Sequence, residues 1–253
     1  MPIYESHAII LKSFKLNEAD RIVTFFTSRY GKIKAIAKGA IKPKGRYLGR
    51  LELFVHCNMI AFGKERMNLL RLNSCDIVNS FLPIRESFDA LSHAFVAVEL
   101  VNTVQKECDE NREAYQLLLD ALIAISAETD RNKLETLLRI FELKYISCMG
   151  YKPNLHSCVS CTGGLETGRL GFNAERGGVV CNSCNKSDPV SFLVSPGTVR
   201  LMERALSTPM DKASKLVAGG KVLSDLRKCV NKLIEMHVQY SMRSEFMLDL
   251  AKA

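Results

Sequence analysis

Residues 31–50 read GKIKAIAKGAIKPKGRYLGR. The first part alternates, with Ile33, Ala35 and Ala37 on one side and Lys32 and Lys34 on the other, Lys38 sharing the lysines' parity. Side chains of an extended chain point to opposite faces in turn, so this period of two predicts a β-strand with one apolar and one basic face. Lys32 and Lys34 then stand about 6.6 Å apart on that face. Gly39, Pro43, Gly45 and Gly49 punctuate the second part and predict a mobile or tightly turned loop from which Lys42, Lys44 and Arg46 project. With Arg50, the stretch holds seven cations and no carboxylate.

Similar strand signals flank it. SHAIILKSF (6–14) and DRIVTFFTS (20–28) precede it, and RLELFVHCNMIAF (50–62) and RMNLLRLNSCDIV (66–78) lie after it, separated by the turn-like GKER. Five β-rich segments in about 80 residues with turns between them predict a small antiparallel barrel or sandwich. The five-stranded OB-fold is the natural candidate, and the pattern alone does not separate it from an SH3-like barrel. After FLPIRES (81–87) the period changes to that of helices. Phe88, Leu91, Phe95, Val98 and Val101 mark the first, REAYQLLLDALIAIS the second. Asp130 is the expected N-cap of a third, whose stripe runs Leu134, Leu137, Leu138, Phe141, Tyr145, Cys148 until Gly150 and Pro153 stop it. Ser195-Pro196 reads as another N-cap with proline at the first helical position. A last helix begins near Lys221, its stripe including Leu226, Cys229, Val230, Leu233 and His237, with Phe246, Leu248 and Leu250 as its extension. The reading is an α+β multidomain chain: a barrel over 1–80 and a helical domain over 81–253, interrupted by an irregular insert at about 151–194.

That insert contains Cys158-Val-Ser-Cys161 and Cys181-Asn-Ser-Cys184, nineteen residues apart. Each tight knuckle aims two thiolates at one ion, and two knuckles complete a tetrahedron. Four sulfurs fill the zinc shell and leave no position for water or substrate, so the metal is expected to be structural. The other cysteines (Cys57, Cys75, Cys108, Cys148 and Cys229) fall in strand or helix patterns and are expected to be small core residues. Nine cysteines, an odd number, fit a disulfide framework poorly. The N-terminus shows no secretory signal pattern and no run is long enough for a membrane span. A cytoplasmic location is expected.

Catalytic motifs are missing. None of His7, His56, His93, His156 and His237 sits in a His-Glu-x-x-His pattern, and there is neither a phosphate-binding Gly-x-x-x-x-Gly-Lys-Ser/Thr loop nor a Gly-x-Ser-x-Gly elbow. No enzymatic activity is expected. Charge is the stronger signal. Residues 1–80 carry 14 Lys and Arg against 6 Asp and Glu, whereas residues 81–253 are balanced at 21 each, so the formal excess of +8 lies in the first third. A basic barrel face implies a polyanionic partner. Lys32, Lys34, Lys38, Lys42, Lys44, Arg46 and Arg50 are the candidate nucleic-acid contacts. Tyr30, Tyr47 and Phe54 are candidates to stack on bases or, equally, to fill the barrel. Five to seven contacts to single-strand phosphates would make log K fall with log salt at a slope of about −3.5 to −5. An OB-fold RNA-binding protein of translation or tRNA handling is the alternative.

Several of these segments are shared with one known family. AKGAIKPKGRYLGRLELF (37–54) resembles the third strand and adjoining loop of the RecO recombination mediators. FELKYISCMGYKPNLHSCVSC (141–161) and GFNAERGGVVCNSC (171–184) resemble that family's helix, Gly-Tyr-x-Pro turn and two cysteine knuckles, and LVSPGTVRLM (193–202) the helix after them. The resemblance implies an N-terminal OB-fold, a C-terminal α-helical domain and a four-cysteine zinc-ribbon-like insert. It implies binding of single- and double-stranded DNA, annealing of complementary strands, and help in loading RecA onto DNA coated with single-strand binding protein, in the cytoplasm beside the nucleoid. RecR and the acidic, hydrophobic tail of single-strand binding protein are the implied partners, with RecF and RecA as further ones. Lys38, Lys42, Lys44 and Arg46 match the family's basic positions. Lys32, Lys34 and Arg50 rest on the charge argument, and Ile41 stands where the family pattern has a cation.

Overall fold

The computed structural model describes residues 2–42, 45–64, 69–165, 170–188, 190–238 and 248. Its first five strands are β1 (Ile3–Lys15), β2 (Arg21–Thr27), β3 (Gly31–Ala37), β4 (His56–Phe62) and β5 (Leu70–Asn79). They close into a barrel in the order β1-β2-β3-β5-β4, with β4 returning to β1. β3 and β5 run parallel, at Ala35–Leu70 and Ile36–Arg71, and all other pairs are antiparallel. This is the strand order of the OB-fold. β1 serves both neighbours because a bulge between Ile10 and Lys12 bends it around the barrel. Ile10, Phe25, Ile33, Ala35, Met59 and Leu72 fill the interior.

The fourth strand starts six residues later than its sequence pattern, at His56 instead of Arg50. Phe54 is in the left-handed region at φ 71°, which no strand tolerates. Residues 39–42 and 46–50 are instead turns, with Lys42 N–H bonded to Gly39 O, Gly45 N–H to Lys42 O, Leu48 N–H to Gly45 O and Arg50 N–H to Tyr47 O. Gly45 is required there, since a Cβ would lie 2.8 Å from Gly39 O and 2.9 Å from Lys42 O. The described parts of this loop are tightly turned. Tyr47 and Leu51 are buried in the barrel core, and the Tyr47 hydroxyl donates to the carbonyls of Leu72 and Asn73.

The helices are α1 (Leu82–Glu86), α2 (Phe88–Val104), α3 (Arg112–Ser126), α4 (Arg131–Cys148), α5 (Asn182–Asn185), α6 (Pro196–Ser207) and α7 (Gly220–His237). Ser87, Asn111, Asp130 and Ser195 cap α2, α3, α4 and α6, each side chain accepting from the N–H three residues on. Leu248 is helical and buried, whereas Phe246 and Leu250 lie outside the described residues. α4 is buried on nearly every side, including polar positions. The fully buried Arg139 bonds Glu135 at 2.9 Å, Glu142 at 2.8 Å and Asn231 Oδ1 at 3.1 Å. Burial alone would raise the Glu135 carboxyl, but its bond to His93 and the charges of Arg139 and Arg227 outweigh that and bring it to about 2.

Barrel and helices share one core. Ile9, Leu11, Phe26 and Phe54 belong to the same apolar cluster as α2, α3 and α4, with Phe54 edge-on to Phe95 at 5.3 Å and Phe26 edge-on to Tyr115 at 5.8 Å. The start of β3 is the polar seam of this contact. Gly31, at φ 66°, lies so close to the 105–111 connection that a Cβ would stand 2.1 Å from Asp109 O. Cys108 N–H donates to Lys32 O at 2.9 Å.

Stability should respond at both places. Gly31→Ala should cost about 2 kcal/mol or more in chemical unfolding, because both the dihedral and the space are forbidden. Arg139→Ala should cost about 3–5 kcal/mol by leaving buried carboxylates uncompensated. The stability that Glu135 contributes is present above the ordinary carboxylate range and is lost as pH falls toward about 2. Glu135→Gln should therefore flatten the acid limb of a stability-against-pH curve.

Candidate nucleic-acid interface and metal centre

Six of the seven cations of residues 31–50 are described, and they separate into three groups. Lys32 is only 9% exposed, and its ammonium donates to the carbonyl of Asn102 on α2. Burial holds its pKa below the usual lysine range, partly offset by Glu107. Lys34 pairs with Glu107. Of the basic face expected of β3, Lys32 is thus buried against the helical domain, whereas Lys34 stays partly exposed in its pair with Glu107. Arg50 pairs with Asp76 at 2.6 Å and reaches the Cys75 carbonyl, tying the loop to β5. Lys38, Lys42 and Arg46 are exposed, with the Arg46 guanidinium 4.8 Å from the Tyr47 ring centre. Lys44 lies outside the described residues.

The loop is held against the β1–β2 turn. Ile41 N–H donates to Ala19 O, and Gly39 N–H to Asp20 Oδ1. That bond, with help from Asn17 and from the charges of Lys38 and Lys42, keeps the Asp20 carboxyl below its ordinary range. Lys15, Arg21 and Ala37 are register neighbours on β1, β2 and β3, so this end of the barrel gathers Lys15, Lys38 and Lys42. Arg21 there is engaged by Glu52 at 3.3 Å.

The aromatic candidates fare differently. Tyr47 and Phe54 are buried, and Tyr30 packs edge-on against Tyr4 at 5.1 Å. On the described barrel strands Phe14 is an exposed ring, 42% accessible, with Lys12 Nζ 5.5 Å from its centre. Leu16 beside it is also exposed. Lys12, Phe14 and Lys15 carry no signal in the sequence, because the β1 bulge shifts the in–out alternation after Ile10 without any mark in composition.

In the insert, strands β6 (Leu170–Asn173), β7 (Gly178–Val180) and β8 (Phe192–Val194) form a small antiparallel sheet in the order β7-β6-β8. Val159 N–H bonds Val179 O, which holds the first knuckle against β7. The four sulfurs of Cys158, Cys161, Cys181 and Cys184 lie within 4.8 Å of one another. Burial would raise the Cys158 thiol, but backbone N–H groups of Cys181, Cys161 and Ser160 outweigh it and bring it down to about 6. Cys184 is pushed up to about 12 by hydrogen bonds with Cys181 and Cys161. Four thiolates this close repel strongly unless a cation sits among them, so the donor set and spacing suit a bound metal ion. His156 is turned away onto Glu203 at 3.1 Å and adds no ligand. Of the remaining cysteines, Cys57, Cys75 and Cys229 are buried as expected, whereas Cys148 is half-buried and Cys108 is exposed in the interdomain connection.

Family models for the N-terminal and C-terminal parts of recombination protein O match residues 1–81 and 85–245. The chain belongs to the RecO family. It is similar to the DNA repair protein RecO of Acetivibrio thermocellus, with 31% identity covering 90% of this chain and 89% of that one. For the RecO of Symbiobacterium thermophilum the identity is 29%, covering 100% and 99%. For that of Syntrophus aciditrophicus it is 30%, covering 97% and 95%. RecO membership supports a role in DNA repair and recombination. Among the described residues no helix is long and apolar enough to cross a membrane.

Removal of the metal by a chelator, or Cys161→Ser, should lower the melting temperature of the protein clearly while changing DNA affinity little. Because thiolates are the ligands, mild acid should release the ion that neutral pH retains. Elemental analysis and calorimetry at the two pH values check both.

Proposed function

We propose that this RecO binds single- and double-stranded DNA, anneals complementary strands and helps load RecA onto DNA coated with single-strand binding protein, without bond chemistry of its own. The observation that carries this reading is the set of exposed cations on the OB barrel: Lys38 and Lys42 at the end that Lys15 shares, Arg46 in the loop, and Lys12 over the exposed ring of Phe14. Lys44 belongs to the proposed set from its place in the loop. Lys32, Lys34 and Arg50 act in it as supports that hold strand and loop in place. Annealing requires relief of phosphate repulsion with the bases left free to pair, and cations directed at the backbone do this where base-specific readout would hinder it. The four-cysteine insert holds structural zinc, which pins the irregular stretch between α4 and α6.

RecR, RecF and RecA are proposed partners from family membership. The acidic, hydrophobic tail of single-strand binding protein is assigned to the groove beside α6, where Arg200, Arg204 and Lys215 rim Leu201, Leu216 and Val217. An apolar floor with a cationic rim suits a short acidic peptide. The expected site of action is the cytoplasm, at the nucleoid.

Titration of single-stranded DNA against salt tests the interface. With Lys32 buried and Lys34 paired with Glu107, four to six contacts give a slope of about −3 to −4. Lys38→Ala with Lys42→Ala should reduce the slope by about 1.4, and Phe14→Ala should weaken binding by about 1–3 kcal/mol, both with unchanged melting temperature. Equal affinity for a matched RNA strand, with no annealing activity, would favour the RNA-binding alternative. Arg200→Glu should abolish binding of the acidic tail peptide and leave DNA affinity intact.

A further inference from the structure

A cleft of about 660 Å³ opens between the barrel and α3, away from the residue 38–50 loop. Arg112, Tyr115 and Gln116 line it from the first turns of α3, and His7, His56 and Arg29 from the barrel. No carboxylate lines it. Arg29 meets only the face of Tyr30, at 6.0 Å, and no carboxylate pairs with it among the described residues. Arg112 is held through Nε by Glu110 at 2.8 Å, which leaves its terminal nitrogens free of that bond. The helix dipole adds positive potential, since these α3 residues stand at its N-terminal end.

Two buried polar atoms here are also unanswered. Tyr115 is 5% exposed, and its hydroxyl has no hydrogen-bond partner; neither has His56 Nε2. Native structures rarely leave such groups unpaired, because each costs the desolvation of a lost bond. The His7 and His56 rings lie 5.5 Å apart. Burial, and then the neighbouring His7, hold His56 below the usual histidine range.

We propose that this cleft binds a phosphate monoester, with Arg29 and Arg112 neutralising the dianion and Gln116 and His7 donating beside them. A dianionic terminal phosphate gains more from two guanidinium groups than the single charge of a backbone diester does. The volume accommodates a nucleotide as well as the phosphate. The source is either the phosphorylated end of a DNA strand or a free phosphate compound, and the site is separate from the backbone contacts proposed above.

The test compares a 5′-phosphorylated oligonucleotide with its 5′-hydroxyl twin, and separately follows the melting temperature of the full chain in inorganic phosphate and in AMP. Preference for the phosphorylated strand by about tenfold, the size of a charge-assisted hydrogen bond, identifies a strand end. A rise in melting temperature with inorganic phosphate or AMP, without preference between strands, identifies a free phosphate. In either case the effect should vanish in Arg29→Gln with Arg112→Gln, whose affinity for the hydroxyl strand stays that of the wild type. Tyr115→Phe should diminish the effect without lowering the melting temperature in phosphate-free buffer. If the hydroxyl strand binds, the phosphorylated strand binds no better and neither small phosphate shifts melting, the proposal is overturned. Loss of binding to both strands would instead overturn the DNA interface, and the small-phosphate arm would still decide the cleft.

Discussion

The docking of β3 against the 105–111 connection is the contact on which the arrangement of this protein depends. Gly31 presses on the Asp109 backbone, Lys32 bonds both Asn102 and Cys108, and Lys34 meets Glu107. A strand at this place in a barrel has one face committed to the interior. Here the start of its other face, at Lys32, is buried as well, and the shared apolar core of Ile9, Leu11, Phe26 and Phe54 forms beside it. The orientation of the barrel is thereby set, and with it which basic residues remain for a partner.

The same constraint shapes the electrostatics. A lysine drawn into a domain seam loses hydration and must find an acceptor, as Lys32 does on the Asn102 carbonyl. The loop beyond β3 has no helix to meet and keeps Lys38, Lys42 and Arg46 in solvent. Its second half is anchored from inside, through Tyr47 and Leu51 in the barrel core and Arg50 on Asp76. A preformed basic surface of this kind loses less entropy on binding a polyanion than a disordered lysine loop would.

Much of the fold was legible in the sequence. The period-two run at Gly31–Ala37, the caps Asp130 and Ser195 and the two cysteine knuckles each report a local rule, and each corresponds to an element at the expected place. The start of the fourth strand was not legible, because a left-handed Phe54 is a tertiary outcome: the ring is held against Phe95, and no residue preference announces it. Phe14 was hidden for a similar reason, since one bulge in β1 re-aims every side chain after it. The exposure of Cys108 likewise comes from its place in the connection that clasps β3.

By itself, the sequence determined the run of five β-rich segments, the helical second part, the pair of cysteine knuckles and the concentration of positive charge in the first third. These rest on periodicity, spacing and composition, which are local or additive. Only the tertiary structure decided which cations face solvent, which aromatic ring is free, and that a carboxylate-free cleft lies between barrel and α3. Those are matters of what packs against what across distant segments. A lysine's charge is written in the sequence, but whether its partner is a carbonyl, a carboxylate or a phosphate depends on the surface brought opposite it.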